Sequence, residues 1–470
     1  MEYICRVWGK QIKIIGWFLE MEKKKKSPRR LKFNTVQTVV IGFFGVILGG
    51  GILLSLPICN QKPIEFIDAL FTSVSSVCVT GLVTIVLLLL IQVGGLGVIA
   101  CMSAFFLLLG KKINMKGRIT IQQAYGLDTL SGLVKFVIRI LKGTFLVEGI
   151  GAVLFSLRFI PEFGFIKGVG YAIFHSVSAF CNAGIDILGS TSFIQYSGSW
   201  LINFTTMFLI VMGGLGFPVW HDIAINIKKM TEIKKRPLKW LFTRLCLQSK
   251  IVLTMTGLLI LCGAVGFFLL EFNNPETMGD MNLLEKMTAS LFQSVTTRTA
   301  GFATVPQGDL RESSKLLGCM LMFIGGSPAG TAGGVKTTTI AMLLLTVLCV
   351  LKNKRDTECF ARKIDNNIVR SGITITMITL IFLMSGITAL TIFEPGIDFL
   401  DLTYEAASAM GTVGLTADLT PILSRGSHVI LMILMYVGRI GPLTMALALS
   451  GRSDKISKFR ELPEENVMLG

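Results

Sequence analysis

Four short stretches of the chain, each closing on a glycine, have the residue types of a cation filter. Each has an aromatic residue at its first or second position and continues through serine, alanine and threonine. Glycine can turn a carbonyl inward at a tight approach, because it adopts backbone angles that other residues resist. A ring of such carbonyls can replace the hydration shell of an ion. The predicted filter residues are Thr80, Gly81, Asn182, Ala183, Gly184, Thr299, Ala300, Gly301, Thr412, Val413 and Gly414.

The stretches recur at a regular distance. Gly81, Gly184, Gly301 and Gly414 follow one another at intervals of 103, 117 and 113 residues in a chain of 470. A period close to a quarter of the chain indicates four copies of one module. The alternative, ordinary turn glycines, does not explain four copies in register.

The elements that position these stretches are apolar helices. The third stretch, 291–302, begins as a helix but is too short and polar to cross a bilayer, which takes about 20 apolar residues. Non-helical backbone is tolerated at membrane depth where it is buried in protein or lines a water-filled path. We therefore predict an all-α polytopic membrane protein with four tandem helix–pore-loop–helix repeats around one central pore, eight spans and four re-entrant loops. The expected outer helices are 36–57, 137–158, 250–271 and 370–393, and the inner helices 83–109, 199–225, 315–351 and 427–450.

Composition and charge agree with a membrane protein. Hydrophobic residues make up 52% of the chain and charged residues 16%, against about 25% charged in a soluble domain. Of 45 Lys and Arg, 33 lie in five segments: 1–35, 110–135, 226–250, 352–370 and 451–470. This bias follows the positive-inside rule and predicts a multi-pass protein of the cell membrane with both termini in the cytoplasm. It therefore reports topology in the lipid bilayer and not nucleic-acid binding.

These boundaries define the expected organisation of the chain. A cytoplasmic N-terminal segment, 1–35, contains the patch IKIIGWFL, which is either an interfacial helix or an extension upstream of a start at Met21, with a slight preference for the latter. The four repeats are expected at 36–110, 133–228, 248–352 and 366–450, followed by a cytoplasmic tail, 451–470.

The third inner helix contains a segment that is not expected to be helical. Residues 325–336, GGSPAGTAGGVK, hold five glycines and a proline, a composition that disfavours a helix. We predict an unwound gate below the filter. A nucleotide P-loop is the alternative, but Val335 stands where that motif needs a glycine before Lys-Thr. The predicted gate residues are Gly325, Gly326, Ser327, Gly330, Thr331, Gly333, Gly334, Lys336 and Arg439.

Arg439 lies within the fourth inner helix, and a charge inside the membrane is a functional hypothesis by default. Its guanidinium is expected to bond carbonyls of the unwound segment; the alternative is an arginine that only locks helix packing. Glu148 is a second buried charge, expected to be structural. The glycines midway along the first two inner helices, Gly94–Gly97 and Gly213–Gly216, suit either close helix packing or a pore role.

Together, these motifs resemble the Trk/Ktr/HKT superfamily of potassium transporters. The resemblance covers residues 32–470 and rests on CVTGL (78–82), CNAG (181–184), TRTAGF (297–302), GTVGL (411–415), GGSPAGTAGGVKTTT (325–339) and YVGRIGPLT (436–444). The short N-terminus leaves no room for the additional helix pair of the Trk-type subunit, so the resemblance is expected to be to the Ktr-type membrane (KtrB) subunit. The resemblance implies a homodimer, potassium uptake that is commonly sodium-dependent, and a separate cytosolic nucleotide-binding ring subunit that gates it. This chain is then expected to bind no cofactor, with potassium as the transported ion and sodium as a candidate coupling ion.

One feature departs from the pattern. From filter glycine to inner-helix glycine the first repeat has 13 residues, whereas the others have 29, 24 and 24. The first pore loop is therefore expected to be strained. Two other hypotheses are a pore-loop cation channel that acts without a partner, and a membrane ATPase or kinase using 330–337. The latter needs a soluble catalytic domain, for which no stretch is long enough. The chain is therefore predicted not to be an enzyme.

Overall fold

The computed structural model of the protein describes residues 35–56, 65–75, 82–96, 122, 133–189, 191–232, 238–354 and 356–441. The chain divides into two units, 1–38 and 39–470, and of the first the structure describes 35–38, which are helical. The predicted filter residues Thr80 and Gly81 lie outside the described residues, as do the N-terminal segment 1–34, most of the loop 110–135 and the tail 451–470, whereas the short connection after Gly81 is helical from Leu82 onward.

The described residues are mostly helical, because a helix satisfies its own backbone hydrogen bonds where water is absent. In the first half of the chain the helices are α1 (Thr35–Ser55), α2 (Phe66–Ser75), α3 (Leu82–Leu96), α4 (Leu133–Phe163), α5 (Phe165–Phe180), α6 (Trp200–Gly214) and α7 (Phe217–Glu232). In the second half they are α8 (Leu238–Arg244), α9 (Leu247–Glu271), α10 (Leu283–Thr296), α11 (Glu312–Phe323), α12 (Thr337–Leu351), α13 (Asn366–Phe393), α14 (Phe399–Gly411) and α15 (Arg425–Ile440). The described secondary structure also includes two 3₁₀ turns, Ile194–Tyr196 and Thr420–Ile422. Two short antiparallel strands, β1 (Glu358–Cys359) and β2 (Arg362–Lys363), form a small sheet.

Among the described ranges, three single helices are long and apolar enough to cross a membrane: α4, α9 and α13. The pair α6 and α7 meets the same test together, although it is bent by 97°. Leu157, Leu269 and Ile392 on the three long helices are 63%, 70% and 72% exposed, as expected of side chains that face lipid. The full set of eight spans and four re-entrant loops stays a prediction.

The helices pack in a circular order. Each of the short helices α5, α10 and α14 packs against the long helix that precedes it: α4, α9 and α13. Each also packs against a helix of the preceding motif, α5 on α3, α10 on α6 and α14 on α11. The first short helix, α2, packs on α15 and so joins the first motif to the fourth.

The starts of the short helices are fixed by side chains. Glu285 accepts a hydrogen bond from the backbone N–H of Asn282 at 3.0 Å, in a capping box that begins α10. Asp398 accepts one from the N–H of Leu400 at 2.9 Å at the start of α14. Caps satisfy N–H groups that have no partner inside the helix and so define where it begins.

The second inner helix differs from the sequence prediction of one helix over 199–225. It ends at Gly214, and the chain turns by 97° before α7 begins at Phe217. Gly216 has φ 89°, and a Cβ atom there would stand 2.5 Å from the carbonyl oxygen of Pro328. Within the described residues α15 ends at Ile440, where Gly441 has φ 94°, and residues 442–450 of the predicted fourth inner helix lie outside the described residues.

Candidate functional site

The site begins with three glycine turns of the same backbone shape. Gly184, Gly301 and Gly414 follow α5, α10 and α14, and their φ angles are 67°, 90° and 93°. Two residues earlier, Asn182, Thr299 and Thr412 also have positive φ angles, of 53°, 73° and 53°. A left-handed conformation is uncommon for residues other than glycine and persists only where the surroundings impose it. Its recurrence at the same place in three motifs indicates a shared structural demand.

The three turns meet in a narrow space made of backbone. A Cβ atom added to Gly184 would stand 2.3 Å from the carbonyl oxygen of Ala300, and one added to Gly301 would stand 2.3 Å from that of Val413. From Gly414 the nearest atom would be the carbonyl oxygen of Ala183, at 3.7 Å. Residues 117 and 113 positions apart in sequence are therefore in direct contact, and carbonyl oxygens lie between the turns.

Hydrogen bonds from the short helices hold these turns. The N–H groups of Ala183, Ala300 and Val413 donate to carbonyls of the preceding helix at 2.9, 2.9 and 2.8 Å. Hydroxyl groups add a second tie, which the sequence prediction missed. Ser178 donates to the carbonyl of Ile185 and Thr296 to that of Phe302, both at 2.6 Å. A buried hydroxyl five or six residues before the glycine was the signal available in the sequence.

Polar side chains lie on one side of the turns. Asn182 donates through Nδ2 to Oγ1 of Thr299 at 3.3 Å. Among the described residues, Asn182 Oδ1 and Thr412 Oγ1 are buried without a hydrogen-bond partner. Buried oxygens are rarely left unpaired, because desolvation then has no compensation. Unpaired oxygens beside a carbonyl-lined space are suitable ligands for a cation that passes through it.

Beside these side chains lies the loop 324–336, which joins α11 to α12 and is not helical. Its base is closed by a parallel bridge between Ile324 and Val335, with Gly325 N–H donating to the Val335 carbonyl at 2.9 Å. Close to this base, a Cβ atom on Gly333 would stand 2.1 Å from Oγ1 of Thr412. The loop thus contacts the fourth turn directly.

Within the loop the backbone is folded too tightly for side chains at the predicted glycines. A Cβ atom on Gly325 would stand 1.9 Å from the carbonyl oxygen of Gly333, and one on Gly326 would stand 2.4 Å from Cβ of Ala332. Gly334 has φ 67°. Lys336 donates through Nζ to the carbonyl of Ala332 at 2.7 Å, which links the end of the loop to residues four positions earlier.

The loop also explains the break between α6 and α7. The carbonyls of Gly213 and Gly214 accept from Thr331 N–H at 3.1 Å and Ser327 N–H at 2.9 Å. Phe217 N–H donates to the carbonyl of Ala329 at 3.0 Å. A helix can end here without unpaired groups, because the loop supplies the missing partners. Gly330 belongs to the same contact, since its Cβ would stand 3.0 Å from the Gly213 carbonyl oxygen.

Arg439, in the last turn of α15, bonds the same loop. Its Nη1 donates to the carbonyl of Thr331 at 2.5 Å, and its Nη2 donates to the carbonyl of Gly94 at the end of α3. The contact with the 325–336 carbonyls that the sequence predicts is therefore present. The guanidinium, which stays charged when buried and can bond several carbonyls at once, joins the first, third and fourth motifs.

Two charged residues received no site role from the sequence. Arg298, buried behind the third turn, donates to the carbonyls of Thr256 and Gly325 at 3.4 Å each, so it contacts the first residue of the gate segment. Glu148 accepts from Gln92 Nε2 at 3.1 Å, and its backbone carbonyl accepts from Ser176 at 2.6 Å. Glu148 therefore joins α4 to α3 and α5.

The apolar helices, the converging carbonyl turns and the loop beside them define a membrane transport protein. Residues 9–459 match the family model TrkH, described as a cation transport protein. The chain belongs to the TrkH family of cation transport proteins and is not an enzyme. This family membership agrees with the resemblance carried by the sequence motifs.

Known relatives align over nearly the full chain. It is 37% identical to the potassium/sodium uptake protein NtpJ of Enterococcus hirae, over 95% of this chain and 99% of that protein. It is 36% identical to the Ktr system potassium uptake protein B of Bacillus subtilis, with the same coverage. The crystal structure of the potassium transporter TrkH from Vibrio parahaemolyticus matches with a TM-score of 0.69 at 18% identity, over 91% of this chain and 87% of that one, and so supports the fold.

Proposed function

We propose that this protein takes up potassium across the cell membrane through the carbonyl ring formed by its glycine turns. The observation that carries the proposal is the direct approach of Gly184, Gly301 and Gly414 to the carbonyls of neighbouring turns. A ring of backbone carbonyls can replace the hydration shell of a potassium ion. Two relatives, a potassium/sodium uptake protein and a Ktr system potassium uptake protein, support potassium as the transported ion.

The proposal includes sodium dependence, a homodimer, and gating by a separate cytosolic nucleotide-binding ring subunit. The relatives described as parts of a Ktr system support a partner, since such a system has more than one component. The alternative is a pore-loop cation channel that needs no partner. One observation favours it: Arg439 and Gly213, whose hydrogen bonds hold the loop 324–336, belong to this chain.

Potassium uptake in a potassium-auxotrophic host tests the main proposal. Expression of this chain with a cytosolic Ktr-type subunit is expected to restore growth at low potassium, and added sodium is expected to increase uptake. Growth restored equally without the subunit would favour the partner-independent channel. Expression in the membrane without any gain in potassium uptake would contradict the proposed function.

The basic loops on the predicted cytoplasmic face are the expected docking surface of the partner. Reversal of Lys234, Lys235 and Arg236 to Glu is expected to release a co-purifying ring subunit, because opposite charges no longer meet across the interface. These three residues lie outside the described residues, between α7 and α8. If the subunit still co-purifies at raised salt, the charges serve only to orient the helices against anionic lipid. The matched control reverses Lys167 and Arg311, which lie outside the basic loops on the predicted opposite face, with topology verified in each variant.

A further inference from the structure

Three of the short helices, α5, α10 and α14, carry a buried polar residue directly after a buried aromatic residue. The aromatic residues are Phe174, Phe292 and Tyr404, and the polar residues that follow are His175, Gln293 and Glu405. All six have at most 4% of their surface exposed. These positions are equivalent in the three motifs, eight or nine residues before the filter glycine.

In each motif the polar side chain bonds the segment that follows the filter glycine. We define these segments as the outer limbs: 185–188, 302–307 and 415–420. In the fourth motif, Glu405 accepts hydrogen bonds from the N–H of Ala417 at 3.0 Å, from Oγ1 of Thr420 at 3.2 Å and from Oγ1 of Thr416. One carboxylate therefore holds three residues of a single outer limb.

The other two motifs use neutral groups at the same place. Gln293 and Gln307 exchange side-chain hydrogen bonds of 2.6 and 3.2 Å, and Tyr404 donates to Gln307 at 2.9 Å. In the second motif the N–H of Ile187 lies 3.5 Å from Nε2 of His175. Tyr404 thus joins the fourth short helix, α14, to the outer limb of the third motif, and the second outer limb is held by one long contact.

Glu405 makes the most hydrogen bonds of these three side chains, and all three of its donors belong to one outer limb. Buried polar oxygens are costly to leave unpaired, so the three donors must remain in place for the side chain to stay buried. The outer limb starts at the residue after Gly414, and its position therefore sets the backbone angles of the turn.

We propose that His175, Gln293 and Glu405 are positioning residues that set the width of the carbonyl ring and so its discrimination between potassium and sodium, with Glu405 contributing most. This inference rests on the proposed function. It predicts that loss of Glu405 changes which ion is transported and does not only reduce the amount of folded protein.

The test compares the ratio of potassium to sodium uptake in membranes that contain equal amounts of protein. Glu405→Ala is expected to lower the ratio about tenfold, and Gln293→Ala and His175→Ala are expected to lower it by successively smaller factors. Thr416→Val, which removes one donor at constant volume, is expected to give an intermediate loss. Thr416→Ser keeps the hydroxyl and is expected to retain the parent ratio.

Glu271→Gln is the matched control. Glu271 is also buried and accepts three hydrogen bonds, from Asn274 at 2.7 Å, Thr277 at 2.6 Å and Arg311 N–H at 3.0 Å. Those bonds join the end of α9 to the start of α11 and involve none of the turns. Glu271→Gln is therefore expected to lower thermal stability and to leave the ion ratio unchanged.

An unchanged ion ratio in the folded Glu405→Ala and Thr416→Val variants would overturn the proposal. An equal shift in Glu271→Gln would also overturn it, since general destabilisation would then be the cause. If Glu405→Ala does not fold, Thr416→Val carries the test. A Gly301→Ser variant measured in the same experiment distinguishes failure of the filter assignment from failure of the positioning role. If the ion ratio changes in Gly301→Ser but not in Thr416→Val, the filter assignment is retained and only the positioning role is rejected.

Discussion

A Gly301→Ser variant is expected to lose most of its preference for potassium over sodium, with the ratio of the two uptake rates falling at least about tenfold. Two features of this position make the effect large. Its φ of 90° is a conformation that side chains disfavour, and its Cβ would stand 2.3 Å from the Val413 carbonyl oxygen and 3.0 Å from Gly184 Cα. The turn must move to admit the side chain, and the carbonyls beside it move as well.

Gly257→Ser is the control for the same change of residue. Gly257 lies in α9, where an added Cβ meets nothing within 4 Å and φ is not positive. This variant is expected to transport with the parent ion preference. If single serine variants at Gly81, Gly184, Gly301 and Gly414 all kept the parent preference, the filter assignment would be wrong.

Arg439→Gln is expected to increase potassium leak in the absence of activation, by an order of magnitude or more. The substitution removes the charged donors to the Thr331 and Gly94 carbonyls. Hydrogen bonds to a charged group contribute about 1.5–3 kcal/mol each, and 1.4 kcal/mol corresponds to a factor of ten in an equilibrium. Lysine at this position is expected to restore closure only in part, because it offers a point charge in place of a planar fork.

Deletion of Ala329–Gly333 provides the second half of this test. It removes Thr331 and Gly333, which contacts Thr412, whereas the bridge between Ile324 and Val335 lies outside the deletion. Maximal uptake is expected to rise with little change in the potassium concentration that gives half-maximal uptake. A deletion that chiefly weakened potassium affinity would count against a gate.

The two changes are expected not to add, because both remove one closed state. Combining Arg439→Gln with the deletion should therefore give about the flux of the deletion alone. Arg158→Gln is the control for loss of an arginine, since Arg158 is exposed and lies 3.8 Å from Glu162. Independent, additive effects on uptake rate would show that Arg439 and the loop act separately.

The sequence by itself determined the class of protein and the positions of its long helices. Three predicted outer helices lie within observed helices: 137–158 within Leu133–Phe163, 250–271 within Leu247–Glu271 and 370–393 within Asn366–Phe393. Apolar runs of this length have one stable form in a bilayer, a helix, so local composition was sufficient. Composition was also sufficient for the non-helical loop, since five glycines and a proline disfavour a helix wherever they occur.

Only the tertiary structure decided the break at Leu215–Gly216 and the left-handed angles at Asn182, Thr299 and Thr412. The sequence 199–225 is apolar enough for one helix; it breaks because the carbonyls of Gly213 and Gly214 are bonded by residues more than 100 positions away. The left-handed angles and the outer-limb contacts of Glu405 likewise depend on neighbours brought together by folding. Local pattern fixes an element whose hydrogen bonds are internal, whereas an element that shares its hydrogen bonds with a distant segment acquires its shape only when that segment is in place.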